Sequence, residues 1–131
     1  MISGAFDPDS NKYTRRHNKV HPDNFNKDNT SRLVYGTANG VSDSLEDFRQ
    51  YNCLKHAILS GINQIDTGLT YRRYRSEHVV GQVLRTLTHK YGLGREEVEI
   101  ISKQGWVGRD NFNEVDTKLL LREIMSETGL T

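Results

Sequence analysis

Three short apolar runs, separated by helix-length amphipathic stretches, constrain this chain more than any other feature of its sequence. The runs are Leu33-Val34-Tyr35-Gly36-Thr37, Ile62 to Asp66, and Val98-Glu99-Ile100-Ile101-Ser102. Brief apolar segments of this kind, closed by glycine or a polar residue, predict buried strands. Between the first two, Tyr51, Leu54, Ala57 and Ile58 recur at spacings of three and four, which predicts a helix from about Asp43 to Ser60. Ser42 or Asp43 can cap its first turn, and Gly61 can stop it. Between the second and third runs, Val80, Val83, Leu84, Leu87 and Tyr91 form a clearer stripe. Ser76 is the expected cap of that second helix, and Gly92 and Gly94 its stops. A polar loop from Gly105 to Glu114 then leads to a last helical stretch containing Leu119, Leu120, Ile124 and Met125. Connections of helix length imply a parallel sheet with right-handed crossovers, so the expected class is α/β.

The first part of the chain does not share this patterning. Met1 to Ser31 is rich in Asn, Asp, Lys and His, carries Pro8 and Pro22, and has only scattered apolar residues. Its polarity explains why hydrophobic residues make up only 34% of the chain. Such a stretch is expected to be a flexible arm, because it buries too little to offset an ordering entropy of ~1–2 kcal/mol per residue. The expected division is therefore an arm over 1–31 and a body over 32–131. The charge balance, 18 basic against 17 acidic residues, supplies no field of one sign for nucleic acid or an anionic membrane. A single cysteine, Cys53, excludes an internal disulfide framework and fits a reducing compartment. No apolar run approaches the ~18 residues of a membrane span. Met1 to Ser10 lacks the basic start and apolar stretch of a secretory signal, so a cytoplasmic location is expected.

Ligands of parallel α/β folds bind at the carboxyl ends of the strands. Here those ends carry Gly36-Thr37, Asp66 and Lys103, with Tyr71 in the loop just after the second strand. A phenol with a pKa near ~10 is a poor proton donor at neutral pH. An ammonium beside a phenol stabilises the phenolate and eases proton transfer, and a carboxylate beside the ammonium keeps it charged and in place. Tyr71 as general acid, Lys103 as its tuner and Asp66 as the lysine's partner form a coherent set for protonating a carbonyl oxygen while hydride reaches the carbon. Taken singly, Asp66 reads as a cap of the next turn and Lys103 as a solvated strand end.

The segment Gly61-Ile62-Asn63-Gln64-Ile65-Asp66-Thr67-Gly68-Leu69-Thr70-Tyr71 resembles the aldo-keto reductase pattern G-I-N-x-[IF]-D-T-A-x-x-Y. Arg75-Ser76-Glu77, then Val80-Gly81 and Leu84, are similar to that family's R-S-E-x-x-[LIV]-G-x-x-L. Glu96-Glu97-Val98 and Ile101-Ser102-Lys103-Gln104-Gly105-Trp106 resemble its E-E-[LV] and [AS]-[ST]-K-x-G. The matches keep order and spacing from about Leu33 to Trp106. The resemblance implies the first three βα units of a TIM-type (β/α)8 barrel, a small-molecule carbonyl substrate, and NADP(H) as cofactor. It also implies a catalytic tetrad of Asp, Tyr, Lys and His, whose first three members match Asp66, Tyr71 and Lys103. Gly36, Thr37 and Ala38 match the turn near the nicotinamide and ribose, with Asp66 beside them, and Trp106 is a candidate for lining the substrate.

The sequence departs from the family pattern in three respects. Arg72 follows Tyr71 where many members have glycine, and Arg73-Tyr74 replaces a small polar turn, which could alter or close substrate access. The family's histidine follows a fourth strand, and its adenosine-phosphate grip lies near the barrel's end, both beyond Thr131. A full barrel needs ~250 residues, so 131 residues are expected to be the N-terminal part of a working reductase. The alternative is an inactive accessory or binding subunit that requires a protein partner. His17 and His21, four apart, lack a third ligand, so no metal site is expected. His56, His78 and His89 read as helix-surface residues, and Arg72, Arg73 and Arg75 as a solvated turn rather than a phosphate site.

Overall fold

The computed structural model describes residues 5–10, 12–17 and 23–103. Trp106, the polar loop from Gly105 and the last expected helical stretch lie outside these residues. Strands β1 (Val34–Gly36), β2 (Gln64–Asp66) and β3 (Glu99–Ile101) form a parallel sheet in the order β1-β2-β3. Tyr35 lies opposite Ile65 and Ile65 opposite Ile100, while Gly36, Asp66 and Ile101 form the next row. The strands are shorter than the apolar runs, yet the ladder continues past their ends. Thr37 N–H donates to Asp66 O at 3.0 Å, and Thr67 N–H to Ile101 O at 2.8 Å. This register brings the carboxyl ends of all three strands to one rim.

The helices cover one face of the sheet. Helix α2 (Ser44–Leu59) begins where expected, with the Asp43 carboxylate accepting from Glu46 N–H at 2.8 Å. Helix α3 (Arg75–Tyr91) buries Val79, Val80, Val83, Leu84 and Leu87 in one core with Leu54 and Ile58 of α2 and Ile65 of β2. Burying each such side chain stabilises the fold by about 1.5–3 kcal/mol before entropy is counted. Gly92, at φ 66°, closes α3 in the left-handed conformation that glycine adopts most readily. Two expectations for α3 fail. Tyr91 is exposed, because it falls on the last turn beyond the reach of the core. Ser76 is no cap: the turn before α3 carries it inside, where its hydroxyl donates to Thr37 O at 2.7 Å. Tyr74 stands at the cap position without a side-chain hydrogen bond.

The expectation of a flexible arm does not hold for the described residues of segment 1–31. Helix α1 (Lys12–His17) lies against the amino-terminal side of the sheet and inserts Tyr13, only 3% exposed, into the core. The Tyr13 hydroxyl donates to Ile58 O and also to Ile62 O, the latter at 3.1 Å. Lys12 pairs with Glu96 at 2.8 Å, and Arg16 with the buried Glu97 at 3.3 Å. Further along, Ser31 N–H donates to Asn63 Oδ1 at 2.6 Å, and Asn63 Nδ2 donates to Asn29 O at 3.0 Å. A single buried aromatic and a buried asparagine thus fasten a polar segment whose average composition gives no sign of either.

Candidate active site

The rim gathers its polar groups through the ladder just described. Asp66 ends β2, and its half-buried carboxylate receives a hydrogen bond from Lys103 Nζ. The same ammonium donates to Thr67 O at 3.2 Å and stands 5.1 Å from the centre of the Tyr71 ring. Leu69 N–H donates to Lys103 O at 3.2 Å, which ties the loop after β2 to the end of β3. The hydrogen bond to Asp66 raises the Lys103 pKa above its ordinary value; Tyr71 adds in the same direction and burial opposes it. Lys103 therefore stays cationic throughout the neutral range.

Tyr71 is half-buried and is held by close packing as well as charge. Its N–H donates to Gly68 O at 3.0 Å, closing a tight turn. A Cβ on Gly68 would stand 3.1 Å from the Tyr71 ring, so glycine at this position lets the phenol lie flat against the loop. The structure thus brings together Asp66, Tyr71 and Lys103, the three side chains singled out from the sequence.

The first strand contributes differently from the expectation. Thr37 is buried, and its hydroxyl is engaged with Thr67 Oγ1 at 2.9 Å and Asp66 O at 3.2 Å. Its side chain braces the rim, while Gly36 and Ala38 on either side are exposed. A Cβ on Gly36 would meet nothing within 4 Å, so open space adjoins the backbone there.

Reading the three arginines as a solvated turn fails for two of them. Arg72 is buried, with Nη2 donating to Asp47 Oδ1 at 2.8 Å and to Val41 O at 2.8 Å. Arg75 Nε donates to Asp47 Oδ2 at 2.9 Å. Asp47 carries no signal in the sequence, because an acidic residue in the first turn of a helix is ordinary. Only the pairing of α2 with the turn before α3 gives it two cationic partners.

Among the described residues, no group of three or more His, Cys, Asp and Glu side chains could hold a metal ion. His17 packs its ring 4.5 Å from that of Tyr13, and His21 lies outside the described residues. No helix among the described residues is long and apolar enough to cross a membrane.

The structure is thus a three-stranded parallel α/β sheet with an acid, a phenol and an amine on its carboxyl rim. A sequence model of the aldo/keto reductase family matches residues 32–119, and the chain belongs to that family. No individual curated protein and no solved structure matches the chain.

Proposed function

We propose that this chain supplies the proton-donating part of an NADP-dependent carbonyl reductase built on a (β/α)8 barrel, acting on an aldehyde or ketone. The observation that carries the proposal is the contact of Lys103 with both Asp66 and Tyr71 at the rim. Asp66 keeps the lysine charged and in place. Lys103 places a fixed positive charge beside the phenol, where it faces the negative charge that develops during proton transfer. Tyr71 donates that proton to the carbonyl oxygen as negative charge develops there. A nicotinamide held at this rim would supply the hydride.

The rim fits the reacting end of such a cofactor. Gly36 and Ala38 are exposed, open space adjoins the backbone at Gly36, and Asp66 offers a half-exposed acceptor in the same row of the sheet as Gly36. Thr37, expected among the cofactor contacts, holds this surface from behind through Thr67. Trp106 follows Lys103 closely in sequence and is proposed to line the carbonyl's entry. A location in the cytoplasm accords with the lone cysteine.

The test is Tyr71→Phe, assayed by NADPH-dependent reduction of 4-nitrobenzaldehyde. General acid catalysis contributes about 10²–10⁴-fold, so turnover should fall by that order while NADPH affinity, read by fluorescence quenching, is retained. Unchanged turnover would refute the assignment.

A further inference from the structure

The turn between Tyr71 and α3 is built in an unfavourable way. Arg72, Arg73 and Tyr74 have φ values of 50°, 55° and 71°. Three consecutive L side chains in the left-handed region do not persist unless the surroundings over-determine them. The surroundings here are specific. One carboxylate, that of Asp47 on α2, divides its two oxygens between the two ends of the turn: Oδ1 accepts from Arg72 at 2.8 Å, and Oδ2 from Arg75 Nε at 2.9 Å. Arg72 is further held to Val41 O through Nε at 3.1 Å and Nη2 at 2.8 Å. Its side chain is 1% exposed, and its Nη1 is buried with no hydrogen-bond partner among the described residues. A guanidinium placed so deeply, at the cost of an unsatisfied nitrogen, is strongly constrained.

The turn begins at Tyr71, so whatever fixes its shape fixes the phenol. Ser76 N–H donates back to Tyr71 O, and the Ser76 hydroxyl reaches Thr37 O at 2.7 Å, which locks the far end of the turn to β1. The influence of Asp47 on Tyr71 runs through the two arginines.

We propose that Asp47 is a positioning residue: by clamping Arg72 and Arg75 across the left-handed turn, it holds the Tyr71 phenol beside Lys103. The inference rests on the reading of Tyr71 as proton donor. The bulky turn, which looked from the sequence like an obstruction of the site, becomes its scaffold.

The experiment compares Asp47→Asn with wild type, Tyr71→Phe and Arg49→Gln in the full protein. Arg49 pairs loosely with Glu46 at 3.6 Å on the same helix and serves as the control. Two readouts are taken: kcat and KM for NADPH-dependent reduction of 4-nitrobenzaldehyde, and amide hydrogen exchange of the peptides spanning 70–76 and 79–87. Asp47→Asn is expected to lower kcat by about 10- to 100-fold with NADPH affinity retained, since ångström-scale misplacement costs that much. It should speed exchange in 70–76 and leave 79–87 protected. If Asp47→Asn does not fold, Arg75→Lys replaces it: it keeps the charge, loses the planar fork, and should show the same pattern to a smaller degree.

Unchanged exchange in 70–76, or unchanged kcat in a variant whose turn has loosened, overturns the proposal. So does faster exchange that extends equally through 79–87, since that would be general destabilisation. Full activity in Tyr71→Phe overturns the proton-donor reading itself. An inactive Tyr71→Phe beside a fully active Asp47→Asn overturns the positioning role alone.

Discussion

Replacing Tyr13 tests whether the polar amino-terminal segment is part of the folded body. Its ring is 3% exposed and packs in the same core as Ile58, Ile65 and Leu87. Truncation of a buried aromatic to alanine typically costs about 3–5 kcal/mol, against a total stability of about 5–15 kcal/mol for a domain. Tyr13→Ala should therefore remove about a fifth or more of the stability. Tyr13→Phe should cost much less. It keeps the ring and loses only the hydroxyl's bonds to Ile58 O and Ile62 O, and Ile58 O still accepts from Gly61 N–H at 3.2 Å. With one acceptor still satisfied, a loss of about 1 kcal/mol is expected. Urea unfolding followed by circular dichroism separates the two through the midpoint at constant slope. A Tyr13→Ala midpoint equal to wild type would show that the segment contributes nothing and that the sequence-based expectation of a flexible arm was right.

The same side chain predicts the alkaline behaviour. Burial, and secondarily the Glu97 charge, push the Tyr13 pKa above its ordinary value. A group whose folded pKa is raised contributes stability that is complete below its unfolded pKa of about 10. That contribution declines as pH rises from there towards the folded value. Wild type should lose stability above about pH 10 more steeply than Tyr13→Phe, as read by urea midpoints across that range.

Gly68→Ala places a Cβ at 3.1–3.2 Å from three atoms of the Tyr71 ring, so the ring must shift by a few tenths of an ångström. Turnover should fall by roughly 3- to 10-fold with little change in melting temperature, and an unaltered kcat would mean that the phenol tolerates the shift. Glu97→Ala removes a 2% exposed carboxylate that accepts from Gly94 N–H at 2.8 Å and pairs with Arg16. A loss of about 1–3 kcal/mol in urea unfolding is expected, and a loss near zero would place the Arg16 pairing among inconsequential surface contacts. Asp47, whose pKa is lowered chiefly by its hydrogen bonding to Arg75, contributes stability that is present above the ordinary carboxylate pKa and lost as pH falls through its folded value. Asp47→Asn should accordingly flatten the acid limb of the stability profile below about pH 4, measured by thermal unfolding.

The three rim residues were legible in the sequence because each lies at or shortly after the carboxyl end of a strand. Asp66 is the last residue of β2, Lys103 lies two residues beyond β3, and Tyr71 sits in the loop between β2 and α3. A parallel sheet in register must bring such positions to one side, whatever the details of packing. The Asp47 clamp was not legible. Its partners Arg72 and Arg75 stand at the start and just past the end of a charged, glycine-free turn whose left-handed backbone no propensity favours, and the carboxylate that offsets them comes from another helix. The buried role of Ser76 was hidden for the same reason, since a serine at the start of a helix has an adequate local explanation as a cap.

The sequence by itself determined the order of the three strands with α2 and α3 between them, the faces of those two helices that are buried, and the set of polar groups at the rim. These follow from short apolar runs, a periodicity of 3.6 residues and glycine stops, all of which act over neighbouring residues. The tertiary structure alone decided that Tyr13 enters the core, that Asn63 fastens the chain around Ser31, and that Asp47 holds the turn behind Tyr71. Each depends on one side chain meeting a distant backbone or charge in a low-dielectric interior, where a single satisfied contact outweighs the average character of the surrounding segment.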